Sequence, residues 1–249
     1  MRKIAFITGA SSGFGASIAK RLDDDGYSVI ICARRKQKLQ ELAKILKNPC
    51  LVLELDVRDK NAVFSAVNNL KDEWARIDIL VNNAGLALGQ EKTPNASLED
   101  FETMIDTNIK GLVYVTKALL GHLNKGGIIF NLGSVAGCWP YPGANVYGAS
   151  KAFVHQFSLN LRNDLAGRDI RVSVVAPGIA KTEFSDVRFK GDHKRANAVY
   201  DGTKYLSADD IAQIVSDIAK LPEHVNINYV ELMPVSQSWA GFSFWREDE

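Results

Sequence analysis

A strand, a glycine turn and a helix meet in residues 3–22, and that junction constrains the fold more than any other feature of the chain. The run KIAFIT (3–8) is apolar and rich in β-branched residues, as a strand covered on both faces is. It leads into TGASSGFGASIAK, where Gly9, Gly13 and Gly15 precede apolar positions at helical spacing, Ile18, Ala19 and Leu22. Glycines permit a tight bend and a close backbone approach, while free N–H groups at a helix start attract a pyrophosphate. A glycine triplet alone is weak evidence. Placed between a strand and a helix, it predicts a dinucleotide turn made of Gly9, Ala10, Ser11, Ser12, Gly13, Phe14 and Gly15.

Six further apolar runs follow: SVIICA (28–33), LVLEL (51–55), DILVN (78–82), GIIFNL (127–132), RVSVVA (171–176) and INYVEL (227–232). Helical spacing fills gaps between them, as at Leu39, Leu42, Ala43 and Leu46, then Val63, Ala66, Val67 and Leu70. Alternating strands and helices build right-handed βα units, which predicts an α/β protein with a doubly wound parallel sheet. No Ser/Pro-rich linker or internal repeat divides the 249 residues, so residues 1–249 are read as a single domain, although the length would allow two. Segment 178–206 shows neither period. Stretches of that length in compact domains are lids, binding loops or disorder, and this one is read as a lid.

Composition removes several function classes. Lys and Arg number 30 against 29 Asp and Glu, a net charge of +1, which gives no support to nucleic-acid binding. Cys32, Cys50 and Cys138 are far apart without a CxxC pair, against a disulfide framework or zinc site and in keeping with a reducing cytoplasm. His122, His155, His193 and His224 lack metal-ligand spacing, so no metal is expected. The apolar part of MRKIAFITGA is too short for a signal peptide, and no stretch reaches the roughly 20 apolar residues of a membrane helix. The chain is expected to be soluble and cytoplasmic, with no membrane partner.

The second strand runs directly into Arg34, Arg35, Lys36 and Lys38. In a dinucleotide site the residue that reads the ribose lies about 20 positions past the glycines: an acid accepts from the 2′-OH of NAD, whereas Arg takes the 2′-phosphate of NADP. Arg34 and Arg35 stand there with no acid nearby, and a guanidinium fork suits phosphate. NADP is therefore the expected cofactor. The competing reading is a solvated helix start, weakened because cations are unfavourable at the positive end of a helix dipole. Lys36 and Lys38 are read as solvated helix residues.

In NVYGASKAFVHQF, Tyr147 and Lys151 are four apart, which on a helix puts them on one face. An ammonium about 4 Å from a phenolate at an effective dielectric near 20 contributes roughly 4 kcal/mol. That could bring a tyrosine pKa from about 10 towards 7, where it serves as acid or base. Ser134 follows the fifth run, thirteen residues before Tyr147, and its hydroxyl can hold a reacting oxygen.

The TGxxxGxG turn, NNAG at 82–85, Asn108 in MIDTNIKG, Ser134, YxxxK and APG at 176–178 together resemble the short-chain dehydrogenase/reductase family over essentially the whole chain. The resemblance implies a single-domain Rossmann-type doubly wound parallel sheet of about seven strands flanked by helices. It implies a tetrad in which Tyr147 is the acid/base and Ser134 orients the reacting oxygen. Lys151 would lower the tyrosine pKa and hold the nicotinamide ribose, and Asn108 would position a relay water. By the same resemblance Asp56 and Val57 lie at the adenine, and Asn83 at the adenosine ribose with Ala84 and Gly85 in its motif. Pro177, Gly178, Ile179 and Thr182 would surround the nicotinamide.

Stretches outside those motifs, such as LVNNAGLALG, FSDVRFKGD, LPEHVNIN and ELMPVSQSWAG, are similar to NADP-dependent 3-hydroxy acid dehydrogenases, which oxidise serine, allo-threonine and 3-hydroxypropionate-type acids. A small-molecule hydroxy acid is thus the expected partner, bound by Ser134, Tyr147 and a cation for its carboxylate. Arg188 and Lys190 lie on the lid, with Arg favoured for its planar fork, and both also read as solvated charges. The alternatives are a carbonyl reductase for neutral ketones or 3-oxoacyl thioesters, and a dinucleotide-sensing protein without turnover.

Several features get plainer readings. Cys138 is read as a packed thiol, Trp139 and Tyr141 as a rigid pocket wall, and His155 as a helix packing residue. Asp23, Asp24 and Asp25 oppose the dipole at the end of the first helix, with no functional account. The tail over about 234–249 concentrates Trp239, Phe242, Phe244 and Trp245, aromatics that need a partner surface. Relatives use this end in tetramer contacts, so a homotetramer is expected.

Overall fold

Side chains of the first strand alternate between two cores. In the computed structural model, which describes residues 2–238, β1 (Ile4–Thr8) sends Ala5 and Ile7 to one face and Ile4 and Phe6 to the other. The chain continues through α1 (Gly13–Asp24), β2 (Ser28–Ala33), α2 (Lys36–Ala43), β3 (Cys50–Glu54), α3 (Lys60–Asn68) and β4 (Ile77–Asn82). Next come α4 (Leu98–Ile105), α5 (Leu112–Leu119), β5 (Leu123–Leu132), α6 (Asn145–Asp164) and β6 (Arg171–Pro177). The last described elements are α7 (Phe184–Arg188), α8 (His193–Ala198), α9 (Ala208–Ala219) and β7 (Tyr229–Leu232).

The strands form one sheet in the order β3-β2-β1-β4-β5-β6-β7, with every neighbouring pair parallel. Helices α1, α2 and α9 cover the face that carries Ala5 and Ile7, and α3, α5 and α6 cover the other. Winding reverses between β1 and β4, and the crevice beyond the strand ends at such a reversal is where α/β sheets bind ligands. The doubly wound seven-stranded sheet expected from the sequence is the observed one.

Some boundaries differ. β5 begins at Leu123 rather than 127, because Leu123 already pairs with Ile77 of β4, and the turn-like Asn124–Gly127 is taken up as an irregularity before Ile128 pairs with Ile79. The 178–206 segment carries two short helices, α7 and α8, of five and six residues, too short to display a helical period in sequence. The aromatic residues Trp239, Phe242, Phe244 and Trp245 lie outside the described residues.

The acidic run that ends α1 has a structural purpose. Asp23 is buried and accepts from the backbone N–H groups of Lys47 and Asn48, both at 2.8 Å. Asp24 pairs with the Lys47 ammonium. Asp25 accepts from Ser216 on α9 and from Lys220 just past its end; burial would raise its pKa, but these hydrogen bonds outweigh that and hold it low. The run thus ties α1 to the α2–β3 turn and to α9. Asp23→Ala is expected to cost about 2–3 kcal/mol, since it leaves half-buried amides without acceptors. Asp24→Ala should leave the urea midpoint nearly unchanged, and equal midpoints for the two variants would contradict this account.

Candidate active site

A cleft of about 540 Å³ opens over the C-terminal ends of the strands, within the usual range for ligand sites. It runs from Arg34 and Arg35 past the glycine turn to Tyr147, Lys151 and Arg188. Local sequence explains the turn. Gly9 has φ +66°, a left-handed conformation open to glycine. A Cβ on Gly15 would sit 2.5 Å from both the Gly9 carbonyl oxygen and Asn83 Nδ2, so the helix enters against bare backbone. Ser12 caps α1 in extended conformation, yet its hydroxyl makes no cap hydrogen bond and instead accepts from Arg35 Nη2 at 2.7 Å. No side-chain cap therefore occupies the first-turn N–H groups, the arrangement that receives phosphate.

Of the predicted turn residues, Gly9, Ser11, Ser12, Gly13 and Phe14 line the cleft, while Ala10 and Gly15 lie behind it, Ala10 within the apolar core. Arg34 and Arg35 both line the far end. Arg35 donates to Ser11 Oγ at 3.1 and 3.0 Å as well as to Ser12, fixing its fork against the turn. Lys38 is not merely solvated: it pairs with Glu183 of segment 178–206, and Lys36 pairs with Glu54. Asp56 and Val57 line the cleft. The Arg58 guanidinium grips the Asp56 carboxylate and, against the opposing effect of burial, holds its pKa low.

Asn83, Ala84 and Gly85 also line the cleft, but the Asn83 amide is already engaged, donating to the carbonyls of Thr8 and Gly9 at 2.9 and 3.2 Å. Thr8, which the sequence did not single out, accepts from the amides of Asn83 and Ala84 and locks the ends of β1 and β4 together. Pro177, Gly178, Ile179 and Thr182 line the opposite wall, with Gln237 accepting from the Ile179 amide at 2.7 Å.

Tyr147 and Lys151 stand one turn apart on α6, both buried, with Lys151 Nζ 5.9 Å from the tyrosine ring centre. Ser134, two residues past the end of β5, lines the cleft together with Tyr147, and its hydroxyl accepts from the Ala136 amide at 3.1 Å. Burial pushes the tyrosine pKa up to about 12, with Tyr141 raising it further and Ser134 and Arg188 pulling it down. Burial lowers Lys151 to about 8, and its ammonium donates to the Leu132 carbonyl at 2.7 Å. This differs from the sequence expectation of a phenol near 7: desolvation exceeds the pull of an ammonium at this separation.

Asn108 lies behind the cleft in a π turn, Asp106–Gly111, inserted between α4 and α5. Its amide donates to Leu86 O and Ser150 Oγ and accepts from Leu86 N, all within 3.0 Å. The π turn closes i→i+5 bonds and takes up an extra residue, with no Gly/Pro breaker before it to mark it in the sequence.

Phe184 and Arg188 of segment 178–206 line the cleft beside Tyr147. Arg188 Nε donates to Gly89 O at 3.0 Å and Nη1 to Tyr141 Oη at 3.1 Å, whereas buried Nη2 has no partner. Lys190, the other candidate cation, is bound to Asp100 at 2.8 Å outside the cleft. Tyr141 forms the wall, as expected, but Trp139 turns away and donates to Glu231 at 3.0 Å. Cys138 is exposed rather than packed, with its sulfur 3.9 Å from His155 Nδ1 and 3.6 Å from Tyr229 Oη. Among the described residues there is no cluster of three or more His, Cys, Asp or Glu able to hold a metal, and no helix long and apolar enough to cross a membrane.

The short chain dehydrogenase family model matches residues 3–192. NADP-dependent 3-hydroxy acid dehydrogenase YdfG of Salmonella typhi is 53% identical over 98% of this chain and 99% of its own. Sulfoacetaldehyde reductase 2 of Chromohalobacter salexigens is 50% identical over 99% of this chain and all of its own. Among solved structures, the closed form of a serine dehydrogenase complexed with NADP+ superposes with a TM-score of 0.95 at 51% identity, covering 98% of this chain and all of that one.

Proposed function

The chain belongs to the short-chain dehydrogenase family, and we propose that within it the protein is an NADP-dependent dehydrogenase of small anionic 3-hydroxy acids. The observation that carries the substrate class is Arg188 Nη2, a buried guanidinium donor without a partner on a side chain 6.0 Å from the Tyr147 ring. Such a donor is costly unless something negative meets it. A carboxylate one carbon away from a carbinol would reach it while the hydroxyl lies at Tyr147.

The residues fit the cofactor. Arg35 with Ser11 and Ser12 offers a built anion seat, Arg34 lies beside it, and the open N-terminus of α1 suits a pyrophosphate. Thr182 and Ile179 would flank the nicotinamide, and Lys151 its ribose. When bound, the nicotinamide supplies the hydride acceptor for oxidation, or the donor for reduction. In oxidation Tyr147 takes the hydroxyl proton, Ser134 holds the same oxygen, and Lys151 stabilises the phenolate. Asn108 and Ser150 brace the segment behind Lys151, the start of a route by which the proton leaves.

Tyr147, held up to about 12, is neutral at pH 7 and suited to donate its proton in reduction. For oxidation it must be ionised, so kcat/KM should rise about tenfold per pH unit from about pH 6 towards 8. Above that, Lys151 near 8 loses its charge and the gain should flatten. A profile for oxidation that stays level over this range would contradict the assignment.

The reading is tested by initial rates with NADP+ for 3-hydroxypropionate, 3-hydroxyisobutyrate, serine and allo-threonine, each beside its methyl ester. The acids should exceed their esters by more than about tenfold, the size of a charge-assisted contact. Equal rates would instead support the carbonyl reductase for neutral substrates, and no turnover at all the sensing protein. Among the described cleft residues the carboxylates are Asp56 and Glu183, both held by cations at the Arg35 end. The ammonium of serine meets neither, so 3-hydroxypropionate is the expected better substrate. Isethionate belongs in the same panel, because the Arg188 donor would also take a sulfonate.

A further inference from the structure

One anion already reaches the seat assigned to the 2′-phosphate. Glu183 starts α7 on the lid segment, 148 residues along the chain from Arg35, and its carboxylate accepts from Arg35 Nη1 at 2.8 Å and from Lys38 Nζ at 2.5 Å. The other contacts of the Arg35 guanidinium are the two serines of the glycine turn. Arg35, Ser11, Ser12 and Glu183 all line the same cleft. In a dinucleotide site an acid at the end of the second strand reads a 2′-OH, and an arginine there reads a 2′-phosphate. This chain has the arginine on the strand end and the acid on the segment that covers it.

We propose that Glu183 is a specificity-determining residue of the cofactor site, a lid-borne anion that competes with the 2′-phosphate for Arg35 and holds the preference for NADP below what Arg35 alone would give. The inference rests on the assignment of Arg35 to the 2′-phosphate. Electrostatics favour competition over cooperation. The Glu183 carboxylate is partly buried, which by itself would raise its pKa, yet hydrogen bonds from Lys38, Arg35 and Ser12 bring it to about 2. It is therefore charged at every working pH. A phosphate entering the Arg35 fork meets a like charge at contact distance and must displace it, leaving the carboxylate to Lys38. A 2′-hydroxyl has no such conflict, and the carboxylate is free to accept from it.

The test compares Kd values of 2′,5′-ADP, ADP, NADP+ and NAD+, measured by titration calorimetry at one ionic strength, for the wild type, Glu183→Gln, Glu183→Ala and Arg35→Ala. The adenosine fragments report on the seat without engaging the nicotinamide end. Both Glu183 variants should bind 2′,5′-ADP and NADP+ about fivefold more tightly, the effect of one partly exposed ion pair, with ADP and NAD+ unchanged or weakened. Unchanged or weaker 2′,5′-ADP binding in both variants overturns the proposal, because the carboxylate then supports the seat. Arg35→Ala separates the two readings. If it removes the preference for 2′,5′-ADP over ADP while the Glu183 variants tighten nothing, this inference fails and the arginine assignment stands. If the preference survives Arg35→Ala, the assignment fails and this inference with it.

Discussion

Tyr147→Phe should lower kcat by about 10²–10⁴, the usual contribution of a positioned acid/base, with the Kd for NADP+ changing by less than about twofold. The ring keeps its packing: Tyr147 meets Phe184 at 5.6 Å between ring centres inside the small apolar cluster with Leu86, Ala87, Met104 and Ala136. What the substitution removes is the hydroxyl alone, and with it the one proton that must travel. Stopped-flow mixing of enzyme, NADP+ and alcohol reads the chemical step directly. Retention of more than about a tenth of the wild-type rate constant would move the acid/base role elsewhere.

Arg188→Met should cost about a hundredfold in kcat/KM for a 3-hydroxy acid and little for its methyl ester, since truncating one partner of a buried charge pair typically costs ~2–5 kcal/mol. Arg188 also holds Gly89 O and Tyr141 Oη, so some loss common to both substrates would reflect a loosened loop. The ratio of acid to ester cancels that part. Arg188→Lys supplies the second control, because an ammonium restores charge without the planar fork. If the ratio is the same in the wild type and both variants, Arg188 does not meet the carboxylate.

The turn at Gly9–Gly15 and the Tyr147–Lys151 pair were legible because each is set by spacing within one element or one junction, where periodicity and covalent geometry act. The seven strands were legible for the same reason, being short apolar runs between glycine-rich or polar breaks. What escaped was long-range. Glu183 reaches Arg35 and Lys38 across 148 and 145 positions, and nothing local marks a glutamate as an ion-pair partner for a particular cation. Thr8 read as part of a strand, and only the pairing of β1 with β4 turned its hydroxyl into the acceptor for two amides. Trp139 and Tyr141, two residues apart and each followed by a proline, looked equivalent; the chain points one toward β7 and the other into the cleft. The tyrosine pKa was misjudged because the sequence shows charge proximity but not desolvation.

The contact between α1 and α9 also bears on how the chain is made. Ile18, Ala19 and Leu22 share a core with Ile211, Ala212 and Val215, and the Asp25 carboxylate is bound by Ser216 and Lys220. The helix that starts at the glycine turn packs on the sheet with Ile7, Val29 and Ile31, but gains its α9 neighbour only after most of the chain has been made. At a synthesis rate of ~5–20 residues per second, roughly 190 intervening residues take about 10–40 s. Through that interval the apolar side chains that α9 will cover remain without that partner. Topology of this kind also implies slow refolding, since the closing contacts join distant positions. Ribosome-stalled chains that end before Ala208 should be far more sensitive to protease in α1 than chains released whole.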